Sequence, residues 1–161
     1  DNLNSSKQEL LRFTNVNDVH GGLTDALVDT DVFIGVSIGD LLTADDVRTM
    51  AKDPIILALA NPTPEIMPEE AYKGGAAVVG TGRSDLPNQV NNVLGFPGIF
   101  RGALDARAKR ITPSMKLAAA YAIADTVDTP TQEMIIPATL NEQVAWQVAQ
   151  AVKEAALKEQ A

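Results

Sequence analysis

Three short apolar runs constrain this chain more than any other feature: "DVFIGVS" at 31–37, "PIILALA" at 54–60 and "AAVVG" at 76–80, with polar segments of helical pattern between them. The runs are rich in β-branched residues and do not alternate cleanly, as expected for strands buried on both faces of a parallel sheet. Parallel neighbours cannot be joined by a tight hairpin and need a crossover, usually a helix. The intervening segments supply one each time. In "LTADDVRTMA", Thr43 is followed three residues later by Asp46, a capping pattern that starts a helix near Thr43. "MPEEAYK" places Pro68 in a first helical turn. The order is therefore strand, helix, strand, helix, strand, an α/β arrangement with right-handed crossovers.

The flanks read as helices. "SSKQELLRF" has Leu10, Leu11 and Phe13 on its apolar side, and "LTDALVDT" puts Leu23, Ala26 and Leu27 on one face. The segment 87–109 reads as helical, interrupted near Gly95 and Pro97. Thr112 and Pro113 begin another helix, and a last one starts near Asn141 with Val144, Val148, Ala151, Val152 and Ala155 on one face. The 161 residues suffice for a core, with no repeat or second domain in view. A net charge of −8 argues against nucleic acid or an anionic membrane as partner, and no apolar run has the length of a membrane span. The absence of cysteine excludes disulfides and thiolate sites, and with no leader in view the expected location is the cytoplasm. The polar start without Met suggests a longer chain upstream.

Ligands of open parallel sheets bind beyond the carboxyl ends of the strands. Those ends carry Ser37 with Gly39, then Asn61 with Pro62 and Thr63, then 81–85 with Arg83 and Asp85. Each loop alone reads at least as well as a turn, since Asn, Gly, Pro and Ser are ordinary turn residues. Their convergence on one edge favours a ligand site. Asn91 and Asn92 follow, near a helix start, where carboxamides serve equally as caps or as neutral partners for a carboxylate. Arg83 reads as an ion pair with Asp85, His20 as a surface residue, and Tyr72 and Tyr121 as packing residues. No acidic pair has metal-ligand spacing. The G-x-G-x-x-G loop that opens a dinucleotide fold is absent, so either the fold differs or that half lies outside this sequence.

Taken together, "DVFIGVS", "LALANPTPEI", "GTGRSDLPNQVNNVLGFPGIFRGALDARA" and "MKLAAAYAIA" resemble the malic enzymes, in particular the short bacterial type. The resemblance runs from about Asn2 to the last helix. It implies a partial Rossmann-type parallel sheet with flanking helices plus C-terminal helices, with 1–161 forming the C-terminal portion of an NAD(P)-binding domain. It implies that the glycine loop, the catalytic tyrosine and lysine, and the carboxylates holding Mg²⁺ or Mn²⁺ lie upstream of Asp1. This chain would then hold no catalytic or metal-ligating residue. The family oxidises and decarboxylates L-malate to pyruvate and CO₂ with NAD or NADP, the metal polarising the ketone. By motif match, Asn61 resembles the asparagine beside the nicotinamide and the malate, and one or both of Asn91 and Asn92 resemble the amides that bind a malate carboxylate. Ser37 and Gly39 would line the cofactor. The expected partners are malate or pyruvate, the rest of the same chain, and further copies in a homo-oligomer. A malolactic relative and a non-catalytic nucleotide-binding module are the alternatives.

Overall fold

A computed structural model describes residues 4–139 and 141–160, so the two ends of the expected 1–161 unit lie outside the described residues. Three parallel strands form one sheet in the order β1-β2-β3: β1 (Val32–Gly35), β2 (Ile55–Ala58) and β3 (Val78–Thr81). Val32 pairs with Ile55 and Ile55 with Val78, while Gly35, Ala58 and Thr81 align at the carboxyl end. Helices α1 (Ser5–Leu10) and α2 (Leu23–Leu27) precede the sheet. Helix α3 (Ala44–Arg48) connects β1 to β2, and α4 (Pro68–Gly74) connects β2 to β3.

The local signals act as expected. The Thr43 hydroxyl accepts the Asp46 N–H at 3.3 Å, and the Asp46 carboxylate accepts the Thr43 N–H at 2.8 Å, closing a capping box. Pro68 opens α4, and Gly75 ends it with φ 103°, a left-handed conformation that favours glycine. Both helices cover one face of the sheet. Their shared core contains Phe33, Val47, Met50, Ile56, Ile66, Ala71 and Val79. Tyr72 packs on it, and burial pushes its phenol above the ordinary range.

Burial on both faces, expected of all three strands, does not hold for β1. Phe33 and Gly35 point into the core, whereas Val32 and Ile34 are exposed, Ile34 at 63 %. Val36 and Ile38 continue that apolar surface. At the other end of the sheet Gly80 is buried beneath Leu57 and the 88–90 segment, so cover on this second face falls from β3 towards β1. The apolar side of the first helix is also left open by the described residues, with Leu10, Leu11 and Phe13 exposed. In α2 only Leu27 is buried.

The second departure from expectation concerns 87–109. Instead of one interrupted helix, Gln89 bridges Thr81, a 3₁₀ turn spans Asn92–Leu94, and α5 (Phe96–Asp105) begins afterwards. Pro97 does not break this helix; it lies in its first turn, where its missing N–H costs nothing. Helices α6 (Pro113–Ala124) and α7 (Glu142–Gln160) complete a second core with α5, built from Leu94, Ala103, Met115, Ala119, Val144, Val148, Val152 and Ala156. Burial of each valine there contributes roughly 1.5–3 kcal/mol. Asn141 caps α7 through the Gln143 N–H at 3.0 Å, and Ala151 and Ala155 sit half-buried at the edge of the expected face. Tyr121, expected to pack, is exposed on α6.

Candidate functional site

The register places the ends of all three strands along one edge, from which the segments beginning at Val36, Leu59 and Gly82 leave the sheet. The first two loops are locked together. Asp40 N–H donates to the Pro64 carbonyl at 3.0 Å, and Leu41 and Leu42 N–H both donate to the Glu65 carbonyl, at 2.7 and 2.9 Å. Gly39 lies so near Thr63 that a Cβ on it would fall 2.8 Å from the Thr63 carbonyl oxygen.

Glu65 is the residue that sequence reasoning missed. It is fully buried. Its Oε1 accepts the Ser37 N–H at 2.8 Å and its Oε2 accepts the Ala60 N–H at 3.0 Å. Both acceptors of one carboxylate are thus directed at the backbone of the two loops expected to line the cofactor. A hint was present in "ANPTPEI", where a short stiff turn returns the chain onto the strand end it has just left.

Above this anchor, Ser37 and Asn61 are exposed, and neither side chain hydrogen-bonds another described residue. The Asn61–Pro62 peptide is cis. Gly39 is half-buried between the loops. Thr81, expected on the same rim, is instead the last residue of β3 and fully buried, its hydroxyl accepting the Arg83 N–H at 3.2 Å. Arg83 holds Asp85 through two bonds, Nε to Oδ1 at 2.9 Å and Nη2 to Oδ2 at 2.6 Å, as the sequence suggested. Hydrogen bonding within this pair raises the guanidinium further and keeps the Asp85 carboxyl below its ordinary range.

The amides of "NQVNN" divide into three roles. Asn88 is buried and satisfied on both sides of its carboxamide. It donates to the Val79 carbonyl at 3.0 Å and the Gln132 carbonyl at 2.8 Å, and accepts the Ile135 N–H at 2.9 Å, tying the connector before α7 to β3. Asn91 caps the 3₁₀ turn through the Val93 N–H at 3.0 Å. Asn92 is exposed, and its side chain bonds no described residue. Both follow the Gln89 bridge to Thr81 by a few residues, so they emerge from the carboxyl end of β3.

Ser37, Asn61 and Asn92 give this edge neutral donors and acceptors beside the Arg83–Asp85 pair. Among the described residues no group of three His, Cys, Asp or Glu side chains could hold a metal ion. His20 sits apart on the surface, its Nε2 3.2 Å from Asp18. A cavity of about 730 Å³ lies elsewhere, lined by Arg107, Lys109, Arg110, Thr112, Met115 and Glu159 among others, none of them from the three loops. The arrangement is a polar edge with an internally braced floor. No helix among the described residues is long and apolar enough to cross a membrane.

Comparison with known proteins identifies the family. A family model described as "Malic enzyme, NAD binding domain" matches residues 12–157. The chain is 57% identical over 158 residues to the bifunctional malic/malolactic enzyme of Bacillus subtilis (strain 168), covering 97% of this chain and 38% of that protein. It is 53% identical to the NAD-dependent malic enzyme of Geobacillus stearothermophilus, covering 94% of this chain and 32% of that one. The crystal structure of the malic enzyme from Pyrococcus horikoshii Ot3 superposes with a TM-score of 0.89 at 52% identity, over 91% of this chain and 34% of the other. The chain therefore spans between 32% and 38% of the length of these relatives. Rossmann-type in its parallel sheet and flanking helices, the chain belongs to the malic enzymes, within their NAD-binding domain.

Proposed function

We propose that this chain is the part of an NAD(P)-dependent malic enzyme that lines the nicotinamide and malate site, the complete enzyme converting L-malate to pyruvate and CO₂. The observation that carries the proposal is the exposed Asn61 carboxamide. It has no protein partner among the described residues and heads a loop braced from below by a buried carboxylate. A neutral amide held at fixed geometry can orient a reactant without adding charge where hydride leaves.

In this reading Ser37 and Gly39 line the cofactor, and Asn61 stands between nicotinamide and malate. Asn92, with Asn91 beside it, hydrogen-bonds a malate carboxylate. The unpartnered Ser37 hydroxyl and the close seat at Gly39 suit a cofactor lying along this edge. NAD or NADP, when bound, accepts the hydride from the hydroxyl-bearing carbon of malate. The described residues hold no cluster that fits Mg²⁺ or Mn²⁺. Its ligands, the glycine loop, and the acid and base belong to the remainder of the enzyme. The uncovered β1 face supports docking of that remainder, and we expect a homo-oligomer in the cytoplasm.

A second reading has a specific observation behind it. The Bacillus subtilis relative is named a bifunctional malic/malolactic enzyme, so release of lactate is the alternative product. A non-catalytic nucleotide-binding module is the remaining possibility. Product analysis of the full-length enzyme with L-malate, either dinucleotide and Mg²⁺ or Mn²⁺ decides among them. The proposal expects pyruvate, CO₂ and reduced cofactor in equal amounts. Lactate without net cofactor reduction would establish the malolactic reading, and no turnover of malate would leave only the module.

A further inference from the structure

We infer that Glu65 is a positioning residue, whose buried carboxylate fixes the Ser37 loop and the Asn61 loop as one unit and thereby sets the geometry of the cofactor site. This rests on the reading of that edge as the nicotinamide site. Stability alone does not explain a buried carboxylate at this position. A carboxylate is among the costliest groups to remove from water, and apolar side chains usually fill such a position at least as stably. Glu65 is nevertheless fully buried, amid Ile66, Pro64 and the first core.

Its bonds go to neither helix. They go to the Ser37 and Ala60 N–H groups, which belong to different loops and lie 28 and 5 residues away in sequence. Bonds from N–H to an ionised acceptor are the stronger kind, and one rigid group accepting two of them sets the distance between their donors. The main chain of Glu65 repeats the connection through Leu41 and Leu42. The sequence also clears space for it. A Cβ on Gly35 would stand 2.4 Å from the Glu65 carboxyl carbon and 2.5 Å from Oε1, so any side chain there would push this carboxylate out of its present place. Ala60 immediately precedes Asn61, and Ser37 is itself a cofactor candidate. A shift of the carboxylate therefore moves both contacts at once, and small displacements of positioning groups cost catalysis heavily.

The test uses the full-length enzyme and the substitution Glu65→Gln, which keeps the volume but turns an NH₂ group towards one of the two N–H donors. The readouts are Kd for reduced cofactor by fluorescence titration, KM and kcat, and thermal melting. Ile56→Val, in the same core, serves as the control for a purely structural loss. The expected result is a rise of about tenfold in cofactor Kd and in KM for NAD(P), with lower kcat, from weakening one charge-assisted bond. Ile56→Val should lower the melting temperature and leave cofactor Kd unchanged. Glu65→Gln with wild-type Kd, KM and kcat would overturn the inference, as would an equal Kd change in Ile56→Val. Should Glu65→Gln fail to fold, hydrogen exchange of the wild-type enzyme decides. Strong, matched protection of the Ser37 and Ala60 amides supports the inference, and exchange at the rate of open loops refutes it. Wild-type enzyme that binds dinucleotide but never oxidises malate would refute the proposed reaction instead, while Kd and exchange would still report on Glu65.

Discussion

Replacing Gly102 with alanine adds one methyl group to the face of α5 that lies on α7, where there is no room for it. The new Cβ would stand 2.4 Å from the Ala149 carbonyl oxygen, 2.8 Å from the Val152 Cβ and 3.0 Å from the Lys153 nitrogen. Two of these obstacles are backbone, so no rotamer change relieves them. One turn earlier Gly98 is as tightly seated: a Cβ on it would stand 2.6 Å from the Val148 Cβ, so α5 cannot pivot about the contact. Against this stands the helix propensity of alanine, which favours the substitution by about 1 kcal/mol. Overpacking a rigid contact costs about 1–3 kcal/mol, and backbone obstacles put this site at the upper end. The net expectation is destabilisation by about 1–2 kcal/mol, a fall of roughly 2–8 °C in the melting of a domain of this size. Thermal melts of full-length wild-type and Gly102→Ala enzyme, followed by circular dichroism, measure it. An unchanged or raised melting temperature would mean that propensity wins and that α5 and α7 are not in this close contact.

Three further outcomes rest on the same packing and exposure. Asn88→Ala leaves the Ile135 N–H and the Val79 and Gln132 carbonyls without their partner, so urea titration should show a loss of about 2–4 kcal/mol. Asn92→Ala should raise KM for malate about tenfold with an unchanged melt, whereas Asn91→Ala should also lower stability by about 1 kcal/mol through its lost cap. Steady-state kinetics beside thermal melts separates the two. This chain expressed alone should self-associate through the exposed Val32, Ile34, Val36 and Ile38, and light scattering showing a well-folded monomer at high concentration would contradict that.

What was legible in the sequence was whatever is encoded locally. Thr43 and Asp46 close their cap within one turn, Pro68 and Gly75 bracket α4, and the β-branched runs locate three strands. Burial was harder, because it depends on what covers a surface. Val32 and Ile34 have the composition of a two-sided strand, but the described residues cover one side only. The segment 87–95 misled for another reason. Its apolar spacing suits a helix, yet Asn88 has φ 53° and spends its side chain on the far connector, so the chain turns before α5 begins. At the candidate site, exposed Asn61 and Asn92 could be named from motif and placement. Glu65 could not, because a glutamate after two prolines has the look of a surface acid. Only the fold brings the Ser37 and Ala60 amides to it.

The central claim, that Asn61 faces the reacting groups and is more than a turn residue, meets its most direct test in kcat/KM of full-length Asn61→Ala beside its melting temperature. A neutral hydrogen bond contributes about 0.5–1.5 kcal/mol, and leaving its buried partner unpaired in the transition state costs about 1–3 kcal/mol. The account therefore predicts a fall in kcat/KM of about tenfold to a few hundredfold. Since the side chain has no protein partner among the described residues, the melting temperature should stay at its wild-type value. Wild-type kcat/KM, or a loss of activity accompanied by an equal loss of folded enzyme, would contradict it.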